Sequence, residues 1–228
     1  MAYQALKFAG LLAVVLCLTG CVTRREHVLA PSASGIVIEA YTHQPVEGAE
    51  VRYAGLEGAA PVVTGPDGRF TLEGLTEMRT IVAMPVGGVF RDTALVRAAV
   101  PGGGQSFSSA EFINGGRPAQ ALYKVTILVF PEGAEAPPLR ALMQDCLDKP
   151  QQDHAVRIVD YVSRLDAEEW PDWLDQDTAS GLYEYVRLAL PSSLFLACEN
   201  TSEAYDMFRA QSETLWETAH SSARASAP

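Results

Sequence analysis

Apolar and polar residues change their spacing twice along the chain. Phe8 to Leu18 is one apolar run, broken only by Gly10. Residues 34 to 130 carry short apolar and β-branched runs between turn signals, the signature of strands. From Leu139 onward the apolar positions fall at i, i+3, i+4, i+7 and i+8, as on one face of a helix. The pattern divides the chain into a leader, an all-β part and a helical part.

In the β part the strands are expected at Gly35 to Tyr41, Ala49 to Tyr53, Val62 to Thr64, Arg69 to Leu72, Arg79 to Met84, Phe90 to Val100, Phe107 to Ile113 and Ala121 to Phe130. Turn chemistry separates them at His43-Gln44-Pro45, Gly65-Pro66-Asp67-Gly68, Gly87-Gly88, Pro101 to Gly104 and Asn114-Gly115-Gly116. About seven short strands with frequent turns favour a sandwich. The last strand is a near-continuous apolar run, as expected of a central one.

The helical part begins with Leu139, Leu142, Met143, Cys146 and Leu147 on one face, opened by Pro137 and Pro138 and closed by Pro150. Further helices are expected over Asp153 to Leu165, over Thr178 to Leu190, and from Asn200 onward, where Glu203 suits a capping box. Helices of this length need tertiary packing, so a small bundle is the natural arrangement. Ser221 to Pro228 reads as a frayed tail.

Charge sharpens this division. The formal net charge is −11, and the stretch from Glu132 onward holds 7 Lys/Arg against 18 Asp/Glu. Such acidity disfavours nucleic acid, because phosphate contacts need positive charge. It also predicts repulsion from anionic lipid.

The leader is too short to span a bilayer, which needs about 20 apolar residues. With Lys7 before it, the run suits a secretory signal. It ends in Leu18-Thr19-Gly20-Cys21, which resembles the lipobox of bacterial lipoproteins. The resemblance implies cleavage before Cys21 and acylation of its thiol, hence a membrane partner through lipid. The alternative is an ordinary signal peptide with a chance cysteine. Val22 stands where these lipoproteins carry Asp when retained on the inner membrane, so the outer membrane, facing the periplasm, is the expected location. Residues 1–20 are then the signal and 21–33 a short tether, at most roughly 40 Å when extended. Export to an oxidising compartment makes a Cys146–Cys198 disulfide the expected state, with two buried free thiols as the alternative.

A second resemblance lies in the β part. Gly35-Ile36-Val37-Ile38-Glu39, Gln44-Pro45-Val46-Glu47-Gly48-Ala49-Glu50-Val51 and Thr64-Gly65-Pro66-Asp67-Gly68-Arg69-Phe70-Thr71-Leu72 resemble the carboxypeptidase-regulatory-like, or transthyretin-like, domain. Asp67-Gly68 makes a tight hairpin turn, since Gly accepts positive φ. The resemblance covers about 40 residues and loosens after Gly74, where Thr76-Glu77-Met78-Arg79 departs from the family's pattern. It implies a seven-stranded sandwich over 34–131, without catalysis, serving as spacer, stabiliser or binding module. The helical domain then covers 137–222 and the tail 223–228.

Candidate chemistry is sparse. Asp166, Glu168, Glu169, Asp172, Asp175 and Asp177, interleaved with Trp170 and Trp173, supply oxygens that calcium could use, but the EF-hand spacing and its glycine are missing. The alternative is a loop whose Asp residues cap helices while the tryptophans pack inward. Cys146 with His154 would need a free thiolate to act as nucleophile and base, and the expected disulfide would remove it. His27, His43 and His220 lack metal-ligand spacing. Tyr183, Tyr185, Phe208 and Trp216 read as core or as a partner groove. Pro101 to Ser109 reads as a flexible loop. No catalytic residue, metal or cofactor is expected. The expectation is a non-enzymatic cell-envelope lipoprotein that meets an envelope protein partner. The alternative is a peptide- or glycan-binding module, which an exposed apolar cleft would favour.

Overall fold

The computed structural model describes residues 22–82, 90–101, 104–114, 122–165 and 170–225. Among these residues lie nine strands: β1 (Val22–Ala30), β2 (Ala33–Glu39), β3 (Glu50–Tyr53), β4 (Val62–Val63), β5 (Arg69–Leu72), β6 (Leu75–Val82), β7 (Phe90–Ala99), β8 (Gln105–Asn114) and β9 (Tyr123–Val129). Helices follow at α1 (Pro138–Leu142), α2 (Pro150–Ser163), α3 (Gln176–Ala189), α4 (Ser192–Phe195) and α5 (Thr201–Ala225). The chain is therefore mostly sheet, with helices at its C-terminus.

Two sheets face each other across one apolar layer. One runs β5-β2-β9 and the other β4-β3-β7-β8. Val37, Phe70, Leu72, Val125 and Ile127 from the first meet Val51, Tyr53, Val96, Ala98 and Phe112 from the second. β2 pairs antiparallel with β5 and parallel with β9. At Gly35 it passes between Phe70 and Val125. A methyl there would overlap the Val125 carbonyl oxygen and the Phe70 ring, so this position requires glycine.

A second core lies beneath the helices, over the seam where β9 of the first sheet meets β8 of the second. Strand side chains alternate in direction, so Val37 enters the sandwich layer while Ile38 points the other way; Ile127 and Leu128 divide likewise. Ile38, Leu128 and Phe107 pack with Val156, Val159, Leu182, Val186 and Leu215 of the helices. The helical part thus shares this core with β8 and β9. This corrects the expectation that β9 is central. It is an edge strand by hydrogen bonding, and its continuous apolar run reflects burial on both faces.

Other differences are local. The expected tether begins with a strand: Val22 to Ala30 pairs antiparallel with β6 as a two-stranded ribbon. The anchor at its base is Asn114, which accepts from the Val28 N–H and donates to the Val28 carbonyl (3.3 and 3.1 Å). β6 accordingly starts at Leu75, ahead of the expected Arg79. The Gly65–Gly68 turn carries the chain from one sheet to the other and does not close a hairpin within one sheet. Gly68 takes φ +67 there, with its N–H on Gly65 O (2.9 Å).

The first helix stops at Leu142, and Met143 to Cys146 form turns. Pro150 opens α2 instead of closing α1, since its missing N–H costs nothing at a helix start. Gln152 accepts from the Asp148 and Lys149 N–H groups there (2.9 and 3.1 Å). Asp175 caps α3 by accepting from Thr178 N–H at 2.8 Å. α5 runs on to Ala225, into the segment expected to fray. Cys146 and Cys198 are bonded, with Cα atoms 5.0 Å apart and a sequence separation of 52. The bridge ties the turn after α1 to the turn after α4.

Candidate functional site

β2 ends at Glu39, and the chain turns sharply into the second half of its sequence motif. His43 N–H donates to Glu39 O (3.0 Å), and Glu39 N–H donates to Gln44 O (2.9 Å). Thr42 N–H donates to the Glu39 carboxylate at 2.6 Å. This closure forces His43 to φ +59, a left-handed conformation that costs a side-chain-bearing residue about 1–2 kcal/mol. The strain places the imidazole against the helices. His43 Nε2 lies 2.9 Å from the Tyr161 hydroxyl of α2. Trp173, from the segment between α2 and α3, stacks on Tyr161 at 6.5 Å and meets His43 edge-on at 6.1 Å. Burial pushes the Tyr161 hydroxyl up to about 12, helped by the nearby Glu39 charge and Tyr41.

These groups form one end of a cleft of about 590 Å³ at the junction of sheet and helices. Ile36, Ile38 and Pro45 form the apolar side. Trp170, Pro171 and Trp173 face them, and Asp67, Arg69 and Asp172 carry its charge. The volume lies within the range of about 300–1,000 Å³ usual for ligand sites, and the mixture of apolar wall and few polar groups is the usual one. Asp67 receives the Arg69 N–H (3.1 Å) and its carboxylate sits 3.7 Å from the guanidinium. The indole N–H groups of Trp170 and Trp173 are sealed from solvent without an acceptor, and Glu39 Oε1 is sealed without a donor. Each such group costs about 1–3 kcal/mol.

His154 organises a second, inner junction. It is 4% exposed. Phe107 N–H donates to its Nδ1 (3.3 Å), so Nδ1 must be an acceptor. Nε2 lies 2.8 Å from Leu128 O, so Nε2 must carry the proton. The Tyr185 hydroxyl, 3.2 Å from Nδ1, donates to Gln151 O at 2.8 Å. One imidazole thus joins β8, β9 and α2 in a single neutral tautomer. Burial pulls its pKa down to about 4, against the pull of the Leu128 carbonyl and Asp153. A cavity of about 370 Å³ borders it, with Arg157 and Asp153 on its wall. Burial pushes the Asp153 carboxyl up, but Arg140 and Arg157 together outweigh this and hold it below the usual carboxylate range. His154 is locked by its partners.

The sequence candidates fall as follows. Cys21, the signal and Asp166, Glu168 and Glu169 lie outside the described residues, as do the Gly87-Gly88 and Gly115-Gly116 turns. Cys146 and Cys198 are joined, and His154 stands apart from them. Asp175 caps a helix and Asp177 pairs with Lys124 (3.4 Å), while Trp173 packs inward, the structural alternative to a calcium loop. Among the described residues no group of three or more His, Cys, Asp or Glu could hold a metal, and no helix is long and apolar enough to cross a membrane. Tyr185 is core, whereas Trp216 stacks on His220 at 4.8 Å and Phe208 lies against Phe195 at 5.0 Å. Tyr183 meets the same His220 edge-on at 5.9 Å. His43 lacks metal-ligand spacing in the sequence, yet the fold brings it to this cleft. Its only sequence signal was its place in the turn before Pro45.

Comparisons with known proteins add little to this geometry. No family model matches the chain, and no curated protein matches it. Among solved structures it is similar to the 5-hydroxyisourate hydrolase of Klebsiella pneumoniae, a transthyretin-like neighbour. The identity is 19% and the TM-score 0.25, over 45% of this chain and 92% of that one. The activity in that name belongs to that protein; what stands for this chain is a mostly β architecture with C-terminal helices and a weak transthyretin-like neighbour.

Proposed function

We propose that this chain is a non-enzymatic cell-envelope lipoprotein, acylated on Cys21, that works by binding a ligand in the cleft between its sheet and its helices. In this reading the sheets are a seven-stranded transthyretin-like sandwich carrying an added ribbon, and the helices are a small disulfide-clipped bundle. The outer membrane, facing the periplasm, is its proposed location. The observation that carries the binding reading is the convergence of His43, Trp170, Trp173, Asp67, Arg69 and Asp172 on one cleft from three separate stretches of sequence. Strained backbone of the kind seen at His43 concentrates at functional sites. Peptide and glycan both suit a wall of this mixed character.

Native mass spectrometry of the full chain extracted from envelopes tests this reading. The wild type should retain an added mass that Trp173→Ala loses. Identical bare spectra for both would remove the basis for a bound ligand. Labelled palmitate should enter the chain and be lost in Cys21→Ser; labelling of both would remove the lipoprotein assignment.

A protein partner is the second reading. Leu196 is 78% exposed, and Tyr205 is also exposed. Both line a shallow depression beside the disulfide with Ser192, Phe195 and Asp206. Crosslinking from this patch in intact cells should capture an envelope protein; its absence would leave the cleft as the working surface.

A further inference from the structure

Resting on the cleft as the binding site, we infer that its ligand is a neutral, hydroxyl-rich saccharide. The hydrogen-bonding groups of the cleft decide between ligand classes. Donors and acceptors alternate within it. The indole N–H groups of Trp170 and Trp173 and the Arg69 guanidinium can only donate. The carboxylates of Asp67 and Asp172 can only accept. A ligand that meets this set must both donate and accept at closely spaced positions. A sugar does so, since each hydroxyl is one donor and two acceptor sites.

Other ligand classes fit less well. A proline-rich segment presents carbonyl acceptors but few donors, so it would leave the carboxylates facing it unpaired. An anionic ligand would meet two carboxylates for one guanidinium. The apolar side formed by Ile36, Ile38 and Pro45 suits the C–H face of a pyranose ring, and the two indoles supply aromatic surface. Neither indole N–H is open to solvent in the free protein. A hydroxyl reaches one only if that ring turns, and pairing then removes the burial cost that the free protein carries. Pairing with either indole must therefore change that tryptophan's surroundings.

Tryptophan fluorescence reads that change directly. The chain has three tryptophans; Trp216→Phe leaves only those of the cleft. The full chain with its disulfide intact is titrated with a panel of neutral oligosaccharides of hexose and N-acetylhexosamine units, and with a proline-rich nonapeptide. At least one saccharide should give a saturable spectral shift. Trp173→Phe keeps the ring on Tyr161 but deletes the N–H, and should weaken binding about tenfold. Asp172→Asn, on an exposed side chain, should weaken it too without altering the circular dichroism. A shift with the peptide alone overturns the saccharide class and leaves the cleft as a binding site. No shift with any probe overturns both. Saccharide binding that survives both substitutions unchanged places the ligand elsewhere and overturns the assignment.

Discussion

His154→Gln removes a titrating group from the junction of β8, β9 and α2 while keeping an acceptor and a donor on the side chain. The native imidazole is held neutral, with its pKa near 4 because it is buried. In the unfolded chain the same group titrates near 6.5. Above pH 6.5 neither state is protonated and the group exerts no pH-dependent effect. Between 6.5 and about 4 the unfolded chain takes up a proton that the native chain refuses, so stability falls as pH falls. Below about 4 both states are protonated and the effect is complete. The gap of about 2.5 pH units corresponds to about 3 kcal/mol. Protonation would also set an Nδ1–H against the Phe107 N–H, donor against donor. Denaturant unfolding of wild type and variant at pH 7.5, 5.5 and 3.5 measures the effect, because carboxylate titrations common to both cancel in the difference. The wild type should lose about 3 kcal/mol relative to the variant across this range. Parallel stability curves would refute the reasoning. Should the variant fail to fold, imidazole nitrogen shifts by NMR in the wild type give the same answer, for the ring must stay neutral at pH 5.

Three further outcomes follow from the packing. Reducing the Cys146–Cys198 bond, or replacing both cysteines by alanine, should cost about 2–4 kcal/mol, read as a lowered denaturation midpoint; an unchanged midpoint in reductant would show that the bridge does not constrain the chain. Gly35→Ala should destabilise by about 1–3 kcal/mol or prevent folding, because the added methyl meets Val125 O and Phe70, whereas Gly104→Ala, which meets nothing within 4 Å, should stay within about 0.5 kcal/mol. Equal thermal midpoints for the two would contradict the close approach. Asp175→Ala should lose about 1 kcal/mol with the cap on Thr178 N–H, and Asp175→Asn should retain most of it in the same unfolding assay.

Much of the architecture could be read from local pattern. The turn residues at His43 to Pro45 and Gly65 to Gly68 separate strands as their chemistry demands, and α2 and α3 lie within three residues of their expected starts. Misreadings arose where a distant partner decided the outcome. Val22 to Ala30 has no strand signal strong enough to stand alone; it is a strand because β6 lies alongside it. Leu142 to Leu147 keep helical spacing, yet the chain turns at Met143 as it enters the bridge to Cys198. The cleft was least legible. His43, Arg69 and Trp173 are separated by 26 and 104 residues of chain, and no periodicity links them.

The sequence by itself determined the order of elements, the period of each, the acidic C-terminal half and the pairing partner available to each late cysteine. These follow from side-chain spacing and composition, which act locally along the chain. The tertiary structure alone decided that the helices pack over the seam of β8 and β9, so that Phe107, Ile38 and Leu128 serve a second core. It also decided that a strained histidine meets two tryptophans across the junction. Contacts of that kind depend on which faces are brought together in space, and the alternation of a strand specifies that it has two faces without saying what will cover each.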